Sequence, residues 1–213
     1  MGTRHVTAVF QTSQPKIAQY GQWDGYPDGQ GSNILEFLRK SKIDKFKEQV
    51  AKCNFISPEE VKRRWVECGA DPNSEWVGID IAAKFKSKYP GLSRDTGSDI
   101  LNMVYKGETY ELQNSLDFVN DSLWCEWAYV IDLDKNTFEV YEGFNQKPLD
   151  ENERFFNDGA LTVKNTGSYY PVRLIKSYPL DDLPTKAKFV KEIEKLTQRE
   201  EEEEDNQDNN RDT

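Results

Sequence analysis

Gln19-Tyr20-Gly21-Gln22-Trp23-Asp24-Gly25-Tyr26-Pro27-Asp28-Gly29-Gln30-Gly31 divides this sequence into two kinds of chain. Two strand-like segments precede it and a run of helical signals follows. Within the stretch itself are four glycines, three aromatics, three glutamines, two aspartates and a proline. Glycine adopts backbone angles that other residues resist, or lets a second group approach the main chain closely. Proline and Asp-Gly both set turns. The segment reads as a shaped loop whose side chains suit stacking and hydrogen bonding.

Upstream, residues 5–10 hold Val6, Thr7, Val9 and Phe10, the β-branched and aromatic content of a strand. A polar connection over residues 11–15 leads to Ile17, Ala18 and Tyr20, and the pair reads as a hairpin. That geometry brings Arg4 and His5 near Trp23 and Asp24. Downstream, residues 32–105 show helical spacing. Ile43, Phe46, Val50 and Cys53 step by three, four and three. Ser57-Pro58-Glu59-Glu60 predicts a capped helix start, with Glu60 returning the capping bond. Val61, Trp65 and Cys68 line that helix, which stops at Gly69. Val77, Ile81 and Phe85 form the next stripe, before Pro90-Gly91. A further helix carries Ile100, Leu101 and Val104 to Gly107.

Strand signals return late. Trp127, Tyr129, Ile131 and Leu133 alternate with Ala128, Val130 and Asp132, and Thr137, Phe138, Val140 and Tyr141 follow the turn residues Asp134 to Asn136, a hairpin turn flanked by Asp132 and Asp134. Residues 172–175 offer another strand. Phe189, Val190, Ile193 and Leu196 mark a C-terminal helix. Segregated strands and helices predict an α+β fold. Its sheet is largely antiparallel, built from the N-terminal hairpin and the late strands, and covered by the central helical block and the C-terminal helix. Residues 1–199 read as a single domain. Residues 200–213 hold no apolar side chain and read as a disordered acidic tail.

That tail carries −7 of the formal net charge of −10, which leaves −3 for residues 1–199. A phosphate-neutralising grip on nucleic acid needs the opposite sign, so no nucleic-acid partner is expected. No apolar run reaches the length of a membrane span, and no membrane partner is expected. Cys53, Cys68 and Cys125 are an odd set without metal-type spacing and read as free thiols. No leader segment is visible, and the expectation is a cytoplasmic protein. A single histidine excludes a histidine-rich metal site; neither metal nor cofactor is expected.

The candidate ligand-binding residues are Arg4, His5, Gln22, Trp23, Asp24, Tyr26 and Arg94. The aromatic rings would stack on a planar face while the amides, carboxylates and arginines read polar edges. Arg94 lies in Ser93-Arg94-Asp95-Thr96-Gly97, which reads as a helix start capped by Ser93 or Asp95, or as an anion contact at a helix N-terminus. The weak catalytic candidates are Thr3 and His5. Cys53 and Cys68 lie on apolar helix faces and suit inert thiols. No serine-nucleophile elbow or phosphate-binding glycine loop occurs.

Met1-Gly2-Thr3-Arg4-His5, the glycine-rich stretch, and Leu92 to Gly97 together resemble a family of hypothetical proteins from bacteria, phages and fungi. The resemblance implies a shared domain and no assigned activity. A second likeness is to N-terminal nucleophile hydrolases, which open with a strand at the extreme N-terminus. It implies amidohydrolase chemistry with Thr3 attacking and its freed amine as base, or a degenerate relative without that nucleophile. Three functions follow as expectations. The first is binding of a small polar ligand or a peptide end at the N-terminus and the loop of residues 19–31. The second is the amidohydrolase activity. The third is a protein partner engaged through the acidic surface.

Overall fold

The computed structural model describes residues 2–74, 76–156 and 169–209, with side chains through residue 198. The hairpin is β1 (His5–Gln11) and β2 (Gln14–Gly21). Helices α1 (Ser32–Lys40), α2 (Ile43–Val50), α3 (Pro58–Glu67), α4 (Ile79–Lys88) and α5 (Ile100–Lys106) follow, with two-residue strands β3 (Asn54–Phe55) and β4 (Glu111–Leu112) around them. The late elements are β5 (Trp127–Asp132), β6 (Thr137–Glu142), β7 (Arg173–Pro179) and α6 (Lys186–Asn209). The main sheet has the order β2-β1-β5-β6-β7. Its one parallel pairing is β1 with β5; the rest are antiparallel. This is the α+β architecture expected, with early and late strands joined in one sheet.

The central strands are buried on both faces. On one side Val9, Tyr129, Ile131, Phe138 and Val140 meet Ile34, Leu35, Phe46, Ile100, Leu101 and Phe189 from the helices. On the other side Val6, Ala8, Ala128, Val130 and Tyr141 meet Val119, Cys125, Phe155 and Val172. Among the described residues, α-helices cover the first face, and a 3-10 turn at Leu116–Asn120 with irregular chain covers the other. Arg154 ties that irregular chain down. Its guanidinium reaches Asp132 at 2.5 Å and Glu139 at 2.8 Å, and the side chain is only 13% exposed. A third, small core of Cys68, Phe85 and Leu92, with Trp65 and Ile81 against it, belongs to the α3–α4 hairpin.

Two local readings are corrected. The first hairpin turns on two residues, Thr12 and Ser13, rather than five, and both have positive φ (56° and 58°). Neither is a residue that favours that region. The Asp134 carboxylate holds the turn by accepting from both backbone N–H groups, at 3.0 and 2.8 Å. Ser57 does cap α3, accepting from the Glu60 N–H at 3.2 Å, but Glu60 does not return the bond. Its carboxylate is taken by Arg63 and Arg64, a charge-assisted geometry that a single amide cannot outbid. The backbone of α6 stays helical to Asn209. Glutamate is a good helix former, so the acidic run extends the preceding helix. Residues 210–213 lie outside those described.

Candidate functional site

The loop after β2 is built on close contacts. At Gly21 a Cβ would overlap the His5 ring, and at Gly31 it would lie 2.8 Å from Tyr129 Cε1. The glycines thus let the chain press onto the end of the sheet. Asp24 sits at φ 55°, and its carbonyl accepts from the Gln30 N–H at 2.9 Å. Residues 27–31 then close a single π-helical turn that leads into α1. Tyr129 Oη donates to the Gly25 carbonyl at 2.8 Å from beneath. The Gly25 N–H donates to the Thr3 carbonyl at 3.0 Å.

Chain start and loop therefore meet, as the hairpin geometry implied, but through packed contacts. Thr3 is buried. His5 is fully buried, with its ring edge toward Tyr129. Burial lowers its pKa to about 4, opposed by the Thr3 backbone. Among the described residues, neither ring nitrogen, nor the neighbouring Thr7 hydroxyl, makes a hydrogen bond of good geometry. Arg4 points elsewhere: its guanidinium lies 4.3 Å over the Trp124 ring. Trp23 and Tyr26 are about half exposed, at 49% and 52%. Gln22 is engaged, accepting from Tyr20 Oη at 2.6 Å.

The loop is also stitched to residues 93–99. Gln22 N–H donates to the Arg94 carbonyl at 3.1 Å, and Trp23 Nε1 donates to Asp95 Oδ1 at 3.1 Å. Gln30 Oε1 accepts from the Ser98 N–H at 3.0 Å. Gln30 therefore occupies the helix start that Ser93, Asp95 or a bound anion was expected to serve. Asp95 instead holds the tryptophan.

Beside this junction opens a cleft of about 630 Å³. One wall is the end of β2 (Gln19, Tyr20) with residues 92–95, Gln113 and Ser115; the other is Trp65, Trp76, Val77, Ile79 and Ala82 of the α3–α4 hairpin. It lies where the small core abuts the main one. Trp65 is stacked on Phe85 at 3.6 Å and 4°, while Trp76 and Ile79 are 80% and 85% exposed. Tyr20 has its phenol pKa raised by burial, with Arg4 and Arg94 opposing. Gln19 is spent internally, donating to the Ser93 carbonyl at 2.9 Å. Among the described residues, the side chains of Arg94, Gln113 and Ser115 make no hydrogen bond or ion pair.

Of the residues expected to form a site, only Arg94 lines this cleft. Arg4, His5, Gln22, Trp23, Asp24 and Tyr26 do not. Trp76, Gln113 and Ser115 went unread because nothing in the local sequence relates them to Tyr20. Three or more His, Cys, Asp or Glu side chains that could hold a metal do not cluster among the described residues. All three cysteines are unpaired and buried, and burial pushes the Cys53 thiol up to about 11. No described helix is long and apolar enough to cross a membrane. No protein-family model, curated protein or solved structure matches the chain.

Proposed function

We propose that the protein binds a small ligand in the cleft between the end of β2 and the α3–α4 hairpin. One observation carries this reading. The solvent-exposed Trp76 ring shares the cleft with Arg94, Gln113 and Ser115, whose side chains make no hydrogen bond or ion pair among the described residues. Leaving a large aromatic ring in water forgoes favourable burial, and exposed polar side chains that make no internal bond keep their hydrogen-bonding capacity for a ligand. A ligand with an apolar face and a polar edge uses both. The volume falls within the range of small-molecule sites. The loop of residues 19–31 then acts as the frame that fixes residues 93–95.

The test is a small-molecule screen read by tryptophan fluorescence and by hydrogen exchange. A true ligand slows exchange in residues 76–82 and 92–95, and Trp76→Ala weakens it on the order of tenfold, the worth of one stacking face, without changing the melting temperature. Protection confined to residues 2–5 and 23–26 would return the site to the chain start and refute the cleft.

A further inference from the structure

Resting on that cleft, we infer that its ligand is a heteroaromatic anion: a flat, nitrogen-bearing ring joined to a phosphate or carboxylate. The two charged residues lining the cleft are Arg94 and Asp95. They are not equivalent. Asp95 is already engaged, by Trp23 Nε1 at 3.1 Å and by Lys86 Nζ at 3.6 Å. Arg94 has no such partner among the described residues. In a chain of net charge −10, an uncompensated guanidinium in a concave site attracts an anion, and its planar fork suits the paired oxygens of phosphate or carboxylate.

The opposite wall selects a ring. Trp65 has Phe85 against one face, so an aromatic stack already ends at the cleft, and Trp76 offers a second ring almost wholly in solvent. Flat π-systems stack on such faces whatever their identity. Gln113 presents a donor and an acceptor, and Ser115 a hydroxyl, neither used internally among the described residues. Those groups match the edge of a nitrogen heterocycle and would go unpaired against a hydrocarbon ring. A plain sugar would satisfy the polar groups and leave Arg94 unused.

The experiment is calorimetric titration of the full chain with adenosine, guanosine, cytidine and uridine 5′-monophosphates, with the four neutral nucleosides, and with indole- and pyridine-carboxylates beside indole and pyridine. The expected result is binding by anions of one series, at least tenfold tighter than by the neutral parents, and weakening with added salt. Which series binds distinguishes phosphate from carboxylate. Arg94→Gln removes the preference for the anion, by roughly tenfold to a hundredfold for a charged hydrogen bond, and leaves neutral parents unaffected. Arg94→Lys retains part of it. Arg94 is exposed, so unchanged melting confirms that both variants fold. Neutral parents binding as tightly as their anions would overturn the inference. So would a neutral, non-aromatic ligand from the screen that protects residues 76–82; the cleft reading would then stand alone. Absence of protection at the cleft by any compound would end both.

Discussion

His5 gives the structure its clearest pH signature. The ring is fully buried against the glycine-rich loop, neither nitrogen makes a hydrogen bond of good geometry among the described residues, and burial lowers its pKa from 6.5 to about 4. The unfolded chain therefore takes up this proton near pH 6.5 and the folded chain only near pH 4. Stability falls wherever the unfolded state binds more protons, so it is full above pH 6.5 and declines on acidification toward pH 4. Between pH 7 and pH 4.5 the two pKa values give a loss of about 2 kcal/mol. For a chain of this size that is a drop in melting temperature of roughly 4–8 °C. The window is diagnostic because His5 is the sole histidine and carboxylates titrate mainly below it. The assay is urea unfolding by circular dichroism at half-unit pH steps, for the wild type and His5→Asn. The variant changes absolute stability as well, so the comparison is between slopes. If both curves descend equally between pH 6.5 and pH 4.5, or if proton NMR titrates the folded imidazole near 6.5, the reasoning about this buried ring is wrong.

The contact beneath the loop is testable on its own. Gly21→Ala places a methyl group in the His5 ring and should cost about 1–3 kcal/mol by overpacking. His5→Ala in the same chain should recover much of that loss in a double-mutant cycle; additive losses would refute the contact. On the opposite face, Arg154→Met leaves Asp132 and Glu139 buried without their cation, at a cost of about 3 kcal/mol at pH 7. Burial works to raise both carboxyls. Backbone N–H groups and Arg154 hold Asp132 below the usual range; Arg154 and the Tyr141 hydroxyl do so for Glu139. Their stabilisation is thus present at neutral pH and lost as pH falls through those lowered values, so the Arg154→Met penalty should shrink below about pH 4. A penalty constant from pH 7 to pH 3, measured by urea unfolding, would refute the network.

Much of the architecture was legible because it rests on local periodicity. The alternation of Trp127 to Leu133, the three-four-three stepping of Ile43 to Cys53, and the punctuation at Gly69 and Gly107 each report one element's own preferences. Both glycines do adopt positive φ, at 106° and 79°. Features that failed depend on partners distant in the chain. The Thr12–Ser13 turn is tight because Asp134 holds it, and no residue near position 12 announces that. Glu60 has two arginines within reach, and a local capping rule cannot weigh them. The parallel pairing of β1 with β5 joins residues over a hundred positions apart.

The same logic explains why the most conspicuous sequence reads as a ligand surface while several of its groups are used within the fold. Glycines, aromatics and amides in residues 19–31 announce a shaped surface. Composition does not say whether that shape serves a ligand or another part of the chain. Here the glycines admit His5, Tyr129 and the Asp24 carbonyl, and the polar side chains close internal bonds: Gln22 with Tyr20, Trp23 with Asp95, Gln30 with Ser98. A side chain already paired within the fold must break that pair to hold a ligand, which offsets what it gains. The residues best placed to bind are exposed ones that the fold leaves unpaired, and Arg94 is the candidate singled out in the sequence that lines the cleft. The loop orders its backbone through the Gln22 N–H and leaves its guanidinium free. Gln22→Pro removes that N–H and also the acceptor of the Tyr20 hydroxyl, so it should weaken ligand binding at the cleft more than Gln22→Ala, which keeps the N–H and loses the Tyr20 contact alone. Equal affinity in folded Gln22→Pro and Gln22→Ala variants, measured by the same titration, would show that the loop does not position the site.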